Sequence, residues 1–335
     1  MVPNKTYVLP ALIAVCLLFG NAGCTPGPGE PGAEKLSPEQ LTLALKFAPG
    51  QTTKYRAVAE AKKGLEFEGS LADDPAFKGG QTGTRIEMVF TQEIEQVQDN
   101  GRALAKVTIN ELKFHDISKN KVLLDFDSSD EKNKDNPLAK LIGQNYTIEI
   151  DPAGQVTRVV EAAQARAALG GRVTGYRRAA LLDNDAIMER HTIAALPDTT
   201  EQSAKPGDDW SRIKIMPFGL MGTKVYERIY VLKGVKAKGG RHIATIEMNA
   251  IPTAEQAEQL HKERPDNPFS KMFDSIDKYT GSLTFDITSG AVREYIEELK
   301  SEWLIVDPAA QPDSEKIPDA LRMSALRLHS LERLD

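Results

Sequence analysis

The sequence predicts a mainly β (α+β) protein: two related antiparallel β-sheet units with helical connections, curved into an open half-barrel or a sandwich. Three observations predict it. Apolar residues recur with a period of two along most of the chain. Turn-forming residues punctuate those runs at hairpin spacing. Two of the first-half hairpins have echoes in the second half.

The period-two runs come in order. Ile86, Met88 and Phe90 alternate with Arg85 and Glu87. Ala103, Ala105, Val107 and Ile109 alternate with Lys106 and Thr108. Ile148 and Ile150 alternate with Thr147 and Glu149. Further on, Ala244, Ile246, Met248 and Ala250 alternate with Thr245, Glu247 and Asn249, and Leu283, Phe285 and Ile287 with Thr284 and Asp286. Successive side chains of a strand point to opposite faces, so alternation buries one face and wets the other. Asn100-Gly101 is a strong two-residue hairpin signal. Asp151-Pro152-Ala153-Gly154 places Asp, Pro and Gly where a type I turn takes them. Lys238-Gly239-Gly240 and Ser289-Gly290 are further tight connections.

The echoes are local. Gly101-Arg102-Ala103-Leu104-Ala105 resembles Gly240-Arg241-His242-Ile243-Ala244. Tyr146 to Ile150, with its Gly154 turn and Val156, resembles Leu283 to Ile287 with Gly290 and Val292. A fainter echo links residues 50–56 with 222–228 at a different spacing. They divide the chain into a first β unit (39–165), a helical linker (166–205) and a second β unit (206–335). In the linker, residues 161–169 are Ala-rich and predict a helix stopped by Gly170-Gly171. Residues 176–195 predict a second helix, packed on a sheet with Arg177 and Arg178 in water. Residues 127–137 and 197–209 predict polar loops, and 252–279 an insertion that is partly helical. The tail from 318 to 334 fits either period: Leu326 and Leu328 alternate, but Leu321, Ala325, Leu328 and Leu331 also share a helix face.

The N-terminus carries a different signal. Lys5 precedes an apolar run over residues 8–20, too short to span about 30 Å of hydrocarbon. Asn21-Ala22-Gly23-Cys24 follows. This stretch resembles the lipobox of bacterial lipoprotein signals, with Ala22 and Gly23 at the two small positions and Asn21 departing from the usual apolar residue. The resemblance implies a signal peptide over 1–23, cleavage between Gly23 and Cys24, and acylation of Cys24. Cys16 does not fit, because Val15 precedes it. Residues 25–32 are rich in Pro and Gly, with Thr25 and Glu30 and no large apolar side chain, and the tether they begin is expected to run over 24–38. The implied location is the bacterial cell envelope, lipid-anchored. Thr25 stands where Asp acts in some bacteria as an inner-membrane retention signal, which favours the outer membrane. Beyond the signal, residues 47–55 (FAPGQTTKY), NGRALAKVTI, YTIEIDPAGQV and GDDW (207–210) resemble recurrent elements of a family of uncharacterised exported bacterial lipoproteins with a duplicated β domain. That resemblance implies fold and anchor, and no activity.

Chemistry is sparse in the pattern. Cys16 and Cys24 are the only cysteines, so the exported part is expected to hold no disulfide, thiol nucleophile or Cys-type metal site. His115, His191, His242, His261 and His329 form no metal-ligand spacing. No nucleophile elbow or phosphate loop is present; Gly170 to Gly175 follows a helix rather than a strand. Asp208-Asp209 lie on opposite faces of any strand, so Trp210 is expected to pack and the pair to stay solvated. Net charge is −6, which gives no footprint for nucleic acid. The expectation is a non-enzymatic envelope protein without a cofactor, binding an apolar ligand or a protein partner. Met88, Phe90, Ile148, Ile246 and Phe285 are the candidate lining of an apolar groove, and equally the side chains of an ordinary core. The alternatives are a structural or assembly protein of the envelope, and a hydrolase, which would require His191 or His261 beside a carboxylate in a pocket.

Overall fold

The alternating runs become long strands. The computed structural model describes residues 41–75, 77–170, 173–198, 203–253, 274–306 and 319–334. Gly23, Cys24 and the tether lie outside the described residues, as does His261. The elements are β1 (Leu41–Thr42), β2 (Thr52–Glu68), β3 (Gly80–Val97), β4 (Ala103–Ser118), β5 (Lys121–Asp127), β6 (Asn145–Ile150) and β7 (Val156–Glu161). Three short helices follow: α1 (Ala163–Leu169), α2 (Gly175–Leu182) and α3 (Asn184–His191). Then come β8 (Ser203–Ala204), β9 (Asp209–Pro217), β10 (Thr223–Lys238), β11 (Arg241–Pro252), β12 (Asp274–Asp286), β13 (Ala291–Val306) and β14 (Ala320–Arg333).

The strands form one 12-stranded antiparallel sheet in the order β7-β6-β4-β3-β2-β14-β13-β12-β11-β10-β9, with β5 also on β4; β1 and β8 make a separate pair. Each half runs as an antiparallel meander, with β5 folded back on β4 in the first. Gly101 (φ +80°), Gly239 (φ +57°) and Gly240 (φ +73°) supply the left-handed conformations of the β3–β4 and β10–β11 turns. The Asp151 turn closes with Gly154 N–H on the Asp151 carbonyl at 3.0 Å. The β4–β5 turn uses Lys119 (φ +46°) and Asn120 (φ +64°) instead of glycine, which the sequence pattern did not reveal. β14 pairs with β2 from Ala320↔Glu68 to Arg333↔Tyr55 and joins the two meanders into one sheet. The sheet does not close into a barrel, because β7 and β9 are left as its two ends.

Three expectations change. The helix over 176–195 is two helices, broken where Asp183 turns extended (φ −65°, ψ 153°). Arg177 and Arg178 are not left to water: Arg177 pairs with Asp116 and Arg178 donates to the Gly170 carbonyl. Residues 274–279, expected in an insertion, begin β12, and the ambiguous tail is strand. β14 has partners on both sides over nearly its whole length, so pairing decides where periodicity does not.

The register sets the core in rows. One row crosses the inner face as Leu112, Met88, Ala57, Leu331, Tyr295, Leu283, Ile246 and Leu232. All eight are buried. α3 packs over this face against β7, β14 and β2. The segment before β2 straps the same end of the sheet: Leu45 N–H donates to the Pro152 carbonyl and Lys46 N–H to the Gly290 carbonyl. It thus links the β6–β7 turn with the β12–β13 turn. One end of the sheet's inner face is packed by α3 and the strap. Towards the other end α2 meets the inner face at Asp116 of β4, through Arg177.

Candidate functional site

Moving along the strands away from the strap, the inner face changes character. The next row runs Phe114, Ile86, Ala59, His329, Glu297, Gly281, Met248, Tyr230 and Trp210. The row beyond it runs Asp116, Thr84, Ala61, Arg327, Leu299 and Tyr279. Ala59, Ala61 and Thr84 give this part of the face small side chains, with Thr84 on β3 where Met88 fills the first row. The space they leave is a groove of about 640 Å³, walled by α3 (Met188, Glu189, Arg190) and by the end of β9 (Lys214 to Pro217). A second hollow of about 430 Å³ shares Ala61, Thr84 and Arg327 with it and extends the trough past Lys63, Ala325 and Phe218 towards Tyr176.

The wall between groove and core is polar and tightly paired. Glu297 is buried, and its Oε1 accepts from the hydroxyls of Tyr230 (2.8 Å) and Tyr295 (2.6 Å). Its Oε2 accepts from Tyr279 (2.8 Å), and Arg228 Nη1 donates to both oxygens at 3.1 and 3.2 Å. Burial pushes this carboxyl up, but Arg228 and the three hydroxyls outweigh it and hold it below the usual carboxylate range. Gly281 makes room for it: a Cβ there would meet the Ile296 carbonyl at 2.7 Å and Glu297 Cγ at 3.2 Å. His329 stands edge-on to Tyr295 (5.5 Å between ring centres) with Nε2 3.2 Å from the Arg190 carbonyl. Burial lowers its affinity for a proton, with Glu297 and Glu189 pulling the other way. At the rim Lys214 Nζ meets Glu189 at 2.9 Å, tying β9 to α3 across the opening.

Met88, Phe90, Ile148, Ile246 and Phe285 are fully buried core side chains, and none of them lines this groove. They belong to the packed core, where alternation reports burial and is silent about a cavity. His191 is buried, edge-on to Phe90 and 2.7 Å from the Tyr146 hydroxyl. Its hydrogen-bond partner is that tyrosine and not a carboxylate, and burial pushes the imidazole well below its ordinary value. His115 is near Asp125 (3.3 Å), and His242 opens β11. Asp208 caps its own loop by accepting from Lys205 N–H (3.0 Å), while Trp210 stacks on Tyr230. Lys224 contacts Ser275 Oγ at 2.5 Å and is clamped by both Asp277 oxygens at 2.7 and 2.8 Å. Among the described residues no group of His, Cys, Asp and Glu is placed to hold a metal ion, and no helix is long and apolar enough to cross a membrane.

Sequence reasoning missed Glu297, His329 and Arg327. Glu297 and its ligands come from β10, β12 and β13; within a strand only the alternate pairs Arg228/Tyr230 and Tyr295/Glu297 are near in sequence, and nothing local joins the three strands.

No known protein family and no curated protein matches the chain. Among solved structures it aligns with lipovitellin, from a study of lipid–protein interactions in that protein, at a TM-score of 0.42 and 11% identity. The alignment covers 87% of this chain and 26% of lipovitellin, so the chain spans about a quarter of that protein. DynF from the dynemicin biosynthesis pathway of Micromonospora chersina aligns at a TM-score of 0.18 and 7% identity, over 92% of this chain and 94% of that one. Both scores are too low for either likeness to bear on function.

Proposed function

We propose that the protein is a lipid-anchored protein of the bacterial envelope whose open sheet carries an apolar or amphipathic ligand. The observation that carries this reading is the trough on the inner face, about 640 Å³ in its deeper part. Ligand sites commonly measure ~300–1,000 Å³, with apolar walls and a few fixed polar groups. Here Met188, Met216, Leu299 and Ile86 supply apolar wall, and the paired Glu297 and Lys214–Glu189 groups keep it rigid. The anchor rests on Ala22-Gly23-Cys24 and the tether after it. Two or more acyl chains hold stably where one does not, at ~0.8 kcal/mol per buried CH₂.

Native mass spectrometry of the gently purified chain tests the carriage. An extra mass that disappears on organic extraction is the expected result. A bare chain that takes up nothing from envelope lipids removes the reading. For the anchor, Cys24→Ser is expected to move the protein from the membrane fraction to the soluble fraction; an unchanged distribution refutes acylation there. A second reading, assembly through the outer face, is favoured by Ile213 and Ile251, 41% and 50% exposed near the β9 end of the sheet. It is the reading that survives if no ligand is found.

A further inference from the structure

We infer that the occupant of this trough is a single-chain amphiphile with an anionic headgroup, and that Lys63 and Arg327 receive that headgroup; this rests on the carriage reading. The argument is a charge inventory of the groove. Its carboxylates are mostly answered: Glu297 by Arg228 and three tyrosines, Glu189 by Lys214, Asp116 by Arg177, and Glu60 by Lys62 and Arg85. Asp185, on the exposed first turn of α3, is the one lining carboxylate without a cation in contact among the described residues.

The cations are not answered in the same way. Lys63 makes no hydrogen bond or ion pair among the described residues, and it lines the trough. Arg327 lines both hollows and spends one donor, Nη2, on the Pro217 carbonyl at 3.1 Å. It lies within electrostatic range of Glu189 but in ion-pair contact with no carboxylate among the described residues. Arg190, 4% exposed, also lines the groove; its Nη2 donates to the Ala180 carbonyl at 3.2 Å and it too has no carboxylate in contact. A guanidinium stays charged at any physiological pH. Arg190 is buried and Arg327 half-buried, and charge so placed without a counter-ion is costly, so the site favours an incoming anion; Lys63 is exposed and adds beside them a cation unpaired among the described residues.

Geometry places two of these charges together. Ala61 faces Arg327 across β2–β14, and Lys63 faces Ala325, two residues from Arg327 on the same face. Such diagonal neighbours have Cα atoms about 7–8 Å apart, a span one carboxylate or phosphate can bridge with two long side chains. The chain of the amphiphile then runs from this point over Ala61 and Ala59 into the deeper part of the groove.

The test uses the purified full-length protein, stripped of carried lipid, in competition titrations against a fluorescent C18 polyene fatty acid. The probes are the free acid, its methyl ester, octadecyl phosphate and octadecylamine. The acid is expected to bind at least about tenfold more tightly than the ester or the amine, and the acid-to-ester ratio to fall about tenfold in Lys63→Met and in Arg327→Met, the loss typical of one charge-assisted hydrogen bond. Octadecyl phosphate displacing the probe as well as or better than the acid assigns the headgroup to a phosphate-type lipid; weaker displacement assigns it to a carboxylate. Equal binding of acid, ester and amine overturns the inference and leaves carriage standing. An unchanged ratio in folded Lys63→Met also overturns it; Lys63 holds nothing in the fold, so that variant stays readable even if Arg327→Met, which loses the Pro217 contact, is destabilised. Binding of neither acid nor ester refutes the carriage reading together with the inference.

Discussion

Arg228→Met leaves the Glu297 carboxylate in place and removes the only cation within ion-pair distance of it among the described residues. Both side chains are less than 10% exposed, so water cannot substitute. Breaking one half of a buried pair costs about 3–5 kcal/mol, because the remaining charge is desolvated and uncompensated. With an unfolding entropy near 2 cal/mol/K per residue, that is roughly 5–10 °C in Tm for a domain of this size. The loss should depend on pH in a defined direction. In the parent protein Glu297 is held below its unfolded value, so its contribution is present above the unfolded pKa and is lost as pH falls through the folded one. In the variant, burial dominates and the folded pKa rises above the unfolded value. The deficit is then full at neutral pH and shrinks as pH falls towards the unfolded carboxylate range, where Glu297 protonates and still accepts from the tyrosines. Adding Glu297→Gln should recover part of the loss at pH 7. Urea unfolding at pH 7.5 and pH 5 measures all three proteins. A deficit below about 1 kcal/mol, or one that is the same at both pH values, refutes the assignment of Glu297 as a charged, dry carboxylate.

Three further outcomes follow from the same geometry. Gly281→Ala puts a Cβ 2.7 Å from the Ile296 carbonyl, where backbone cannot yield easily, and should cost about 1–3 kcal/mol in a urea melt; a neutral result means the sheet flexes there. Ala61→Trp should fill the exposed floor shared by both hollows, abolish the ligand adduct in native mass spectrometry and leave Tm nearly unchanged; a retained adduct places the ligand elsewhere. Glu149, on the outer face, is lowered to about 2 by hydrogen bonds first from Arg158 and then from Thr157, outweighing burial. Its contribution is therefore complete above the unfolded carboxylate value and lost as pH falls towards 2, and Arg158→Ala should move the acid-unfolding midpoint to higher pH; an unmoved midpoint removes Glu149 from the acid transition.

Much of the fold was legible because a strand's side chains alternate and its turns need particular residues. Ile86-Met88-Phe90 and Ala103 to Ile109 showed their buried face, and Asn100-Gly101 and Gly239-Gly240 showed where the chain reverses, without any knowledge of partners. The Ala-rich helix before Gly170 was visible for the same local reason. Leu321 to Leu331 could not be assigned from periodicity, since its apolar residues satisfy two periods at once; β2 and β13 on either side of it settle the matter by hydrogen bonding.

The groove is a different kind of object. Alternation says that a side chain points inward, but not whether anything lies over it. Met88 and Ile148 are inward and covered, whereas Ala59 and Ala61 are inward and partly bare, because the strap at residues 43–47 lies at the other end of the sheet and α3 walls the groove without filling it. Glu297 looks like any solvated glutamate in a charged run until β10, β12 and β13 bring Arg228, Tyr230, Tyr279 and Tyr295 around it. Lys63 and Arg327, far apart in the chain, share a face only because β14 returns to pair with β2. Local pattern therefore determined the strands, the turns and which face is apolar, since those depend on neighbours in sequence. The joining of two meanders into one sheet, the uncovered trough and its unanswered cations were decided only by the tertiary structure, since each depends on which distant strands lie side by side.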